Sequence, residues 1–205
     1  MTQQEFQHHL DQHTDAIRRI RESSHALHAS VNQTYDKVHP YSLHLDMVSD
    51  AVFKYGHLVC TNETDILPLV FGAYYHDSIE DARLSYNDVT KTAQRFMTDE
   101  QAFTAAEIVY ALTNDKGRTR AERAGERYYQ GIRETPYAPF VKLADRLANA
   151  TYSCTHDNAS NRHMAVVYRK ELPSFLKAIH SSQEDLRFTL PSEMIDELKQ
   201  MFLEK

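Results

Sequence analysis

The stretch ILPLVFGAYYHDSIED, residues 66–81, decides the fold class. Its apolar part, residues 66–77, is too long for an ordinary strand, and Pro68 lies in the first turn, where a helix tolerates proline best. Other long segments also repeat apolar residues at helical spacing, and none shows the sustained alternation of a strand. With only five Gly and six Pro among 205 residues, the chain is predicted to be all-α.

Further helices are predicted outward from this stretch. They cover residues 2–24, 41–56, 98–112, 136–154, 161–180 and 191–204. We expect Gly56 to end one helix, Asn87 or Asp88 to cap a short one, and Pro173 to interrupt another. The expected organisation is a helical extension over 1–30, a main domain over 31–180 and a C-terminal helix over 181–205, which packs on or beside that domain. The amphipathic end helices are compatible with packing on the core and with a homo-oligomer.

Composition excludes several classes of protein. The 23 Lys and Arg against 29 Asp and Glu give a net charge of −6, which argues against a nucleic-acid binder with a broad basic surface. An anionic small substrate remains compatible, since a metal and a few local cations can dominate the field of a pocket. No apolar run reaches the length of about 18 residues that a membrane helix needs. No secretory signal pattern is visible, and Cys60 and Cys154 are far apart, so we expect a cytoplasmic protein with reduced thiols.

Titratable residues crowd the end of the opening stretch. Glu80 follows His76 by four positions, and Asp81 follows Asp77 by four, so a continuing helical turn would stack all four side chains together. Such crowding beside apolar residues is costly unless a positive charge lies there, and a divalent cation is the simplest one. The alternative is a solvated helix end with an acidic capping turn.

A second group lies in residues 141–149. Helical spacing places Asp145 and Asn149 on one face, beside a buried apolar stripe, where they could aim a ligand and an amide into one cleft. The alternative is two ordinary surface polar residues. Taken alone, His44 is more typical of a hydrogen-bonded core histidine than of a metal ligand.

Three motifs together resemble the HD-domain phosphohydrolase superfamily: PYSLH at 40–44, HDSIED at 76–81 and KLADRLAN at 142–149. The chain is most similar to the guanosine tetraphosphate (ppGpp) hydrolase branch, which comprises the hydrolase domain of RelA/SpoT proteins and the small alarmone hydrolases. The resemblance covers roughly residues 31–155, in the order of a single module. It implies an all-α HD-domain helical bundle, here with N- and C-terminal helical extensions.

The resemblance also implies roles for individual residues. The expected cofactor is one divalent ion, Mn²⁺ in this branch, with Fe, Co, Ni, Zn or Mg as alternatives. Glu80 and Asp81 match the pair that positions and activates the attacking water, and Asn149 matches a contact to the nucleotide. The implied metal ligands are His44, His76, Asp77 and Asp145.

Substrate recognition departs from the family pattern. An Arg-Lys pair and a Gly usually precede PYxxH, but residues 35–39 read YDKVH and offer only Lys37, so guanine specificity is open. A cationic segment, residues 116–127, offers Lys116 as a substrate contact and places Arg120, Arg123 and Arg127 on one helical face as a candidate phosphate clamp. The alternative is a solvated helix face, because Glu122 and other acids alternate with these cations.

The expected function is removal of the 3′-pyrophosphate from guanosine 3′,5′-bis(diphosphate) or a related nucleotide by metal-activated water. One alternative stays within the superfamily: a nucleoside monophosphate phosphatase, or another phosphomonoesterase or phosphodiesterase. A second alternative is a non-catalytic nucleotide-binding helical module. In each case the expected partner is a small-molecule nucleotide, with no nucleic acid and no membrane.

Overall fold

The computed structural model describes residues 1–115 and 117–203, apart from the side chains of Arg120 and Ala121. A two-residue strand pair, β1 (Thr34–Tyr35) and β2 (His39–Pro40), forms a small antiparallel hairpin. Single 3₁₀ turns cover Gly56–Leu58, Glu63–Asp65 and Leu186–Phe188. The α-helices are α1 (Gln3–Gln12), α2 (Thr14–Ser30), α3 (Ser42–Tyr55), α4 (Ile66–Tyr75), α5 (Tyr86–Ala93), α6 (Asp99–Leu112), α7 (Arg120–Arg123), α8 (Glu126–Glu134), α9 (Ala138–Thr155), α10 (Ala159–Ile179) and α11 (Ser192–Leu203).

Helix α4 is the centre of the fold. All of its residues are buried, as expected for an apolar run without a polar face. Helices α3, α6 and α9 pack against it. Gly72 allows the close approach of α6, because a Cβ atom there would lie 2.6 Å from Cγ2 of Ile108. Thus the stretch that indicated the fold class is also the element around which the other helices are arranged.

The N-terminal region differs from its prediction. The single helix expected over 2–24 is two helices, α1 and α2, which meet at His13. Phe6 of α1 packs against Gly56. A Cβ atom at Gly56 would lie 2.4 Å from Cζ of Phe6. Gly56 has right-handed helical backbone at φ −58°, so it is not the left-handed residue that ends many helices. Its role is to leave room for the Phe6 ring.

Two further boundaries also differ. Helix α5 is capped by Ser85, not by Asn87 or Asp88; Asp88 instead completes a capping box with Ser85. Helix α10 runs through Pro173 without interruption. Its Leu172 and Phe175 are buried in the core, and this packing offsets the hydrogen bond that an interior proline removes.

The hairpin and the C-terminus border the central helices. Three residues, 36–38, join β1 to β2, and Asp36 and Lys37 have φ values of 50° and 63°, in the left-handed region that is common in tight hairpin turns. At the other end of the chain, α11 packs on α9 and buries Met194, Leu198 and Phe202. No helix within the described residues is long and apolar enough to cross a membrane.

Candidate metal centre and active site

Two imidazoles and a carboxylate from three helices converge at the centre of the molecule. Nε2 of His44, in the first turn of α3, lies 3.3 Å from Nε2 of His76, directly after α4. It also lies 3.4 Å from Oδ1 of Asp145 in α9. The imidazoles are each 2% exposed and the Asp145 side chain 14%. We call these three residues the ligand cluster; their donor atoms all lie within 4.8 Å of one another.

The orientation of His76 is set by its own helix end. Its Nδ1 atom lies 2.8 Å from the carbonyl oxygen of Ala73. A carbonyl oxygen only accepts hydrogen bonds, so Nδ1 carries a proton, and loss of the second proton of the ring would leave the lone pair on Nε2. That atom faces His44 and Asp145. The tautomer is therefore the one that a metal ligand needs.

Asp77 lies beside the ligand cluster. Its Oδ2 atom is 2.9 Å from Nε2 of His76 and 3.7 Å from Nε2 of His44. The same oxygen accepts a hydrogen bond from the hydroxyl of Tyr41. The backbone N–H of Asp81 donates to the carbonyl of Asp77 at 2.9 Å, so the chain turns and keeps the acidic residues of the motif together.

The field of the site is negative at the ligand cluster. Burial alone would lower the pKa of His76, but the carboxylates of Asp77 and Asp145 outweigh it and raise that pKa to about 9. Burial would raise the pKa of Asp145, but Lys142 and the imidazoles lower it well below its usual range. The carboxylates are ionised, and the pocket attracts a positive charge.

Asp145 is held by two neighbours, one of which is itself held by Tyr35. Lys142, one turn earlier in α9, donates from Nζ to Oδ2 at 2.9 Å. Asn149, one turn later, donates from Nδ2 to Oδ1 at 2.6 Å and to the Asp145 carbonyl at 3.1 Å. The Oδ1 atom of Asn149 accepts from the Tyr35 hydroxyl at 2.9 Å. Asn149 thus lies in the site, engaged with Asp145 and Tyr35.

The two predicted catalytic acids have different surroundings. Glu80 is exposed, and its carboxylate accepts from the backbone N–H of Asn114 at 2.6 Å and from Asn114 Nδ2 at 2.9 Å. Asp81 is half-buried, and burial together with the neighbouring Asp77 carboxylate raises its pKa to about 6. Glu80 is therefore held by the loop after α6, whereas Asp81 lies near Asp77, beside the ligand cluster.

The predicted substrate contacts lie at the edge of the site. Lys116 falls outside the described residues, and so does the side chain of Arg120. Arg123 is exposed at the end of α7. Lys37 is exposed at the tip of the hairpin. Among the described cations, neither Lys37 nor Arg123 contacts the ligand cluster.

Two acidic residues of the cationic segment, Glu122 and Glu126, bind partners other than the side chains of Arg118, Arg123 and Arg127. Oε2 of Glu122 accepts from the backbone N–H of Arg118 at 2.7 Å and of Thr119 at 3.4 Å. Glu126 pairs with Arg133 of α8. Within the described part of the chain, the arginines of this segment that show no ion pair are Arg118, Arg123 and Arg127.

Several supporting residues had no predicted role: Tyr35, Tyr41, Asn114 and Lys142. Lys142 had a sequence signal, because it precedes Asp145 by three positions and so shares its helix face. Tyr41 stands three residues before His44 within PYSLH. Its ring stacks on the buried ring of His28, and burial lowers the pKa of His28 to about 4. Tyr35 and Asn114 reach the site only through tertiary contacts, which sequence spacing does not reveal.

The donor set fits a divalent transition metal. Imidazole nitrogen and carboxylate oxygen suit Mn, Fe, Co, Ni and Zn ions. The Ala73 bond occupies Nδ1 of His76 and turns Nε2 towards the other residues of the site, where Asp145 and Asp77 supply negative charge. His44 has a buried Nδ1 atom without a hydrogen-bond partner within the described structure. Its Nε2 atom faces His76 and Asp145.

Comparisons with known proteins bear on the fold. No protein-family model and no curated protein matches the sequence. The structure is similar to a solved structure described as a metazoan ortholog of SpoT that hydrolyses ppGpp and plays a role in starvation responses, with a TM-score of 0.59 and 21% identity. The match covers 92% of this chain and 94% of the other. The chain shares that fold, which confirms the all-α class expected from its sequence.

Proposed function

We propose that the protein is a metal-dependent phosphohydrolase that removes the 3′-pyrophosphate of guanosine 3′,5′-bis(diphosphate) or a related nucleotide. The observation that carries the proposal is the convergence of His44, His76 and Asp145 from three helices. The solved structure of the same fold, described as hydrolysing ppGpp, supports this substrate class. We take residues 31–180 as the catalytic domain, with helical extensions over 1–30 and 181–205.

In this proposal the ligand cluster and Asp77 hold one divalent ion, with Mn²⁺ as the first candidate. A bound ion supplies positive charge that polarises a phosphate and lowers the pKa of a bound water. Lys142 keeps Asp145 ionised by donating to its Oδ2 atom. The bond from His76 Nδ1 to the Ala73 carbonyl keeps Nε2 available.

Glu80 is the proposed general base, and Asp81 orients the water beside it. The water oxygen adds to the 3′-linked phosphorus while the bond from that phosphorus to the ribose 3′ oxygen breaks. The diphosphate group, which now carries the water oxygen, departs as pyrophosphate, and Glu80 passes the proton that it took from the water to the ribose 3′ oxygen. Asn114 holds the Glu80 carboxylate with two hydrogen bonds, which limits its freedom before it accepts the water proton.

The cationic segment is the proposed contact for the phosphate chain, through Lys116, Arg120 and Arg123. Support comes from Glu122, which accepts from backbone N–H groups, while the side chains of Arg118 and Arg123 show no ion pair to it within the described residues. Lys37 and Asn149 remain further proposed contacts. Neither Cys60 nor Cys154, both buried, forms a disulfide within the described residues, which supports the cytoplasmic location that we also propose.

A phosphomonoesterase of the same superfamily is the second candidate. The observation that favours it is the hairpin tip, where Lys37 is the single cation between residues 35 and 39. Fewer cations there provide less recognition of a second diphosphate group.

The test is a Mn²⁺-dependent hydrolysis screen over ppGpp, nucleoside monophosphates and nucleoside triphosphates, repeated with the other candidate metals. Release of pyrophosphate from ppGpp supports the proposal, whereas orthophosphate alone from monophosphates selects the second candidate. Asp77→Ala and Glu80→Ala should each lose activity, while Asp196→Ala, at an exposed position of α11, should keep it. Full activity in Glu80→Ala would refute its role as base. A protein that binds no metal and turns over no phosphate compound would be a non-catalytic module.

A further inference from the structure

We propose that Tyr35 is a positioning residue of the metal centre: its hydroxyl fixes Asn149 behind Asp145, and its ring fixes the imidazole of His44. The inference rests on the metal site of the proposed function, and it assigns Tyr35 a role in metal affinity. Tyr35 itself touches neither substrate nor metal in this arrangement.

The hydroxyl acts through Asn149. It donates to Oδ1 of Asn149 at 2.9 Å, so this oxygen must face Tyr35 and the amide nitrogen must face Asp145. Without that donor, the amide could rotate and present its oxygen to the Asp145 carboxylate, which would repel it. The bond from Tyr35 therefore selects the amide orientation that supports the carboxylate.

The ring acts on His44. His76 is held by a hydrogen bond from its Nδ1 atom, but Nδ1 of His44 has no partner among the described residues. Its ring must be oriented by packing. The Tyr35 ring stacks on it with centroids 5.1 Å apart at 15°, and Tyr41 meets it edge-on at 5.4 Å. Tyr35 thus replaces, by contact, the hydrogen bond that usually orients a metal-binding histidine.

The hairpin places Tyr35 firmly enough for this role. Asp36, the next residue, has a left-handed backbone at φ 50°. Its Oδ2 atom accepts hydrogen bonds from Tyr152, Asn158 and Asn161, each at 3.2 Å. Three bonds to α9 and to the start of α10 hold the turn, and with it the Tyr35 ring, against the site.

The test is calorimetric titration of the full chain with Mn²⁺ in the absence of nucleotide. Tyr35→Phe keeps the ring and removes the hydroxyl, and we expect its Mn²⁺ affinity to fall about 10-fold, the lower end of the effect of outer-shell partners. Tyr35→Leu also removes the stacking, and its affinity should fall towards about 100-fold. Tyr86→Phe, which loses a hydroxyl bond to Glu107 far from the site, should bind like the wild type.

A double substitution tests the route. If the hydroxyl acts through Asn149, then Tyr35→Phe combined with Asn149→Ala binds Mn²⁺ no more weakly than Asn149→Ala alone. Wild-type Mn²⁺ affinity in both Tyr35 variants, with unchanged metal-free unfolding temperatures, would overturn the inference. If the losses of Mn²⁺ affinity in Tyr35→Phe and Asn149→Ala instead added up in the double variant, the route of the hydroxyl through Asn149 would be refuted. The readout needs no nucleotide, so a protein that binds Mn²⁺ but hydrolyses nothing would contradict only the proposed function. A wild type that binds no Mn²⁺ would overturn both.

Discussion

The ligand cluster and the cationic segment are built in opposite ways. Both imidazoles of the cluster are 2% exposed, and all three of its residues lie on or directly after long helices of the core. The cationic segment contains a four-residue helix, and its described arginines are exposed. The two regions are joined to each other through the loop after α6, whose Asn114 holds Glu80.

This difference separates two tasks. Positions of metal ligands must be accurate to a fraction of an ångström, and core packing supplies that accuracy. Phosphate groups need charge more than fixed geometry, and long, exposed arginine side chains can adapt to them. We therefore expect substitutions in the cluster to change metal binding, and substitutions in the segment to change substrate binding.

The largest effect is expected for His76→Ala. Loss of an outer-shell partner already costs about 10- to 100-fold in metal affinity, so loss of a ligand should cost more than about 100-fold. In the wild type, Mn²⁺ at about 100 times its Kd should add about 2.7 kcal/mol to the free energy of unfolding. This corresponds to a rise in Tm of about 5–10 °C for a chain of this length. Thermal unfolding with Mn²⁺ and with a chelator measures the shift.

The matched control is His25→Ala, which removes a histidine bonded to a carboxylate, Asp46, away from the cluster. It should keep the Mn²⁺-dependent shift in Tm. A full shift in His76→Ala would contradict the metal site and remove the distinction between the two regions.

The contrast also explains what sequence reasoning could and could not predict. The periodic core helices were predictable, and the motifs indicated which of their residues would meet: His44, His76 and Asp145 do. The role of Asp77 as a fourth ligand stays a prediction. The interruption predicted at Pro173 was wrong, because intrinsic helix propensity does not account for the buried neighbours that hold α10 together.

Supporting contacts were beyond the sequence for a different reason. Tyr35 reaches Asn149 across 114 positions, and Asn114 reaches Glu80 across 34. Neither pair follows a helical or strand period, so no local pattern encodes it. Such contacts depend on how whole helices pack, and single-sequence periodicity does not report that.

An intermediate effect is expected at the link between the two regions. Asn114→Ala removes the Nδ2 bond to Glu80 and keeps the backbone N–H bond. We expect kcat for ppGpp to fall about 10-fold because the base loses orientation, with Mn²⁺ affinity unchanged. Asn114→Asp places a second carboxylate beside Glu80 and should lower kcat further. Steady-state kinetics with parallel calorimetry checks this, and a change in Mn²⁺ affinity alone would contradict it.

A smaller effect is expected for the charges of the segment. Arg123→Gln and Arg127→Gln should each raise KM about 3- to 10-fold with kcat unchanged, since each removes about 1 kcal/mol of charge-assisted binding. The effect should shrink at high salt. Arg169→Gln, an equal change of charge at an exposed position of α10, should leave KM unchanged. Equal KM values for all three variants would assign the segment to a solvated face.

The smallest effect is expected for Glu122→Gln, which tests whether the segment belongs to the cooperative core. The Glu122 carboxylate accepts from the backbone N–H groups of Arg118 and Thr119, and a neutral amide accepts more weakly. Hydrogen exchange at these two amides should accelerate several-fold, while Tm falls by less than about 2 °C, because exposed substitutions change stability by about 0.5 kcal/mol or less. Glu193→Gln, the same substitution at an exposed position of α11, serves as the control. If Tm instead fell as far as it does on loss of the metal, the segment would unfold together with the core that holds the ligand cluster. Opening of this loop would then require unfolding of the core.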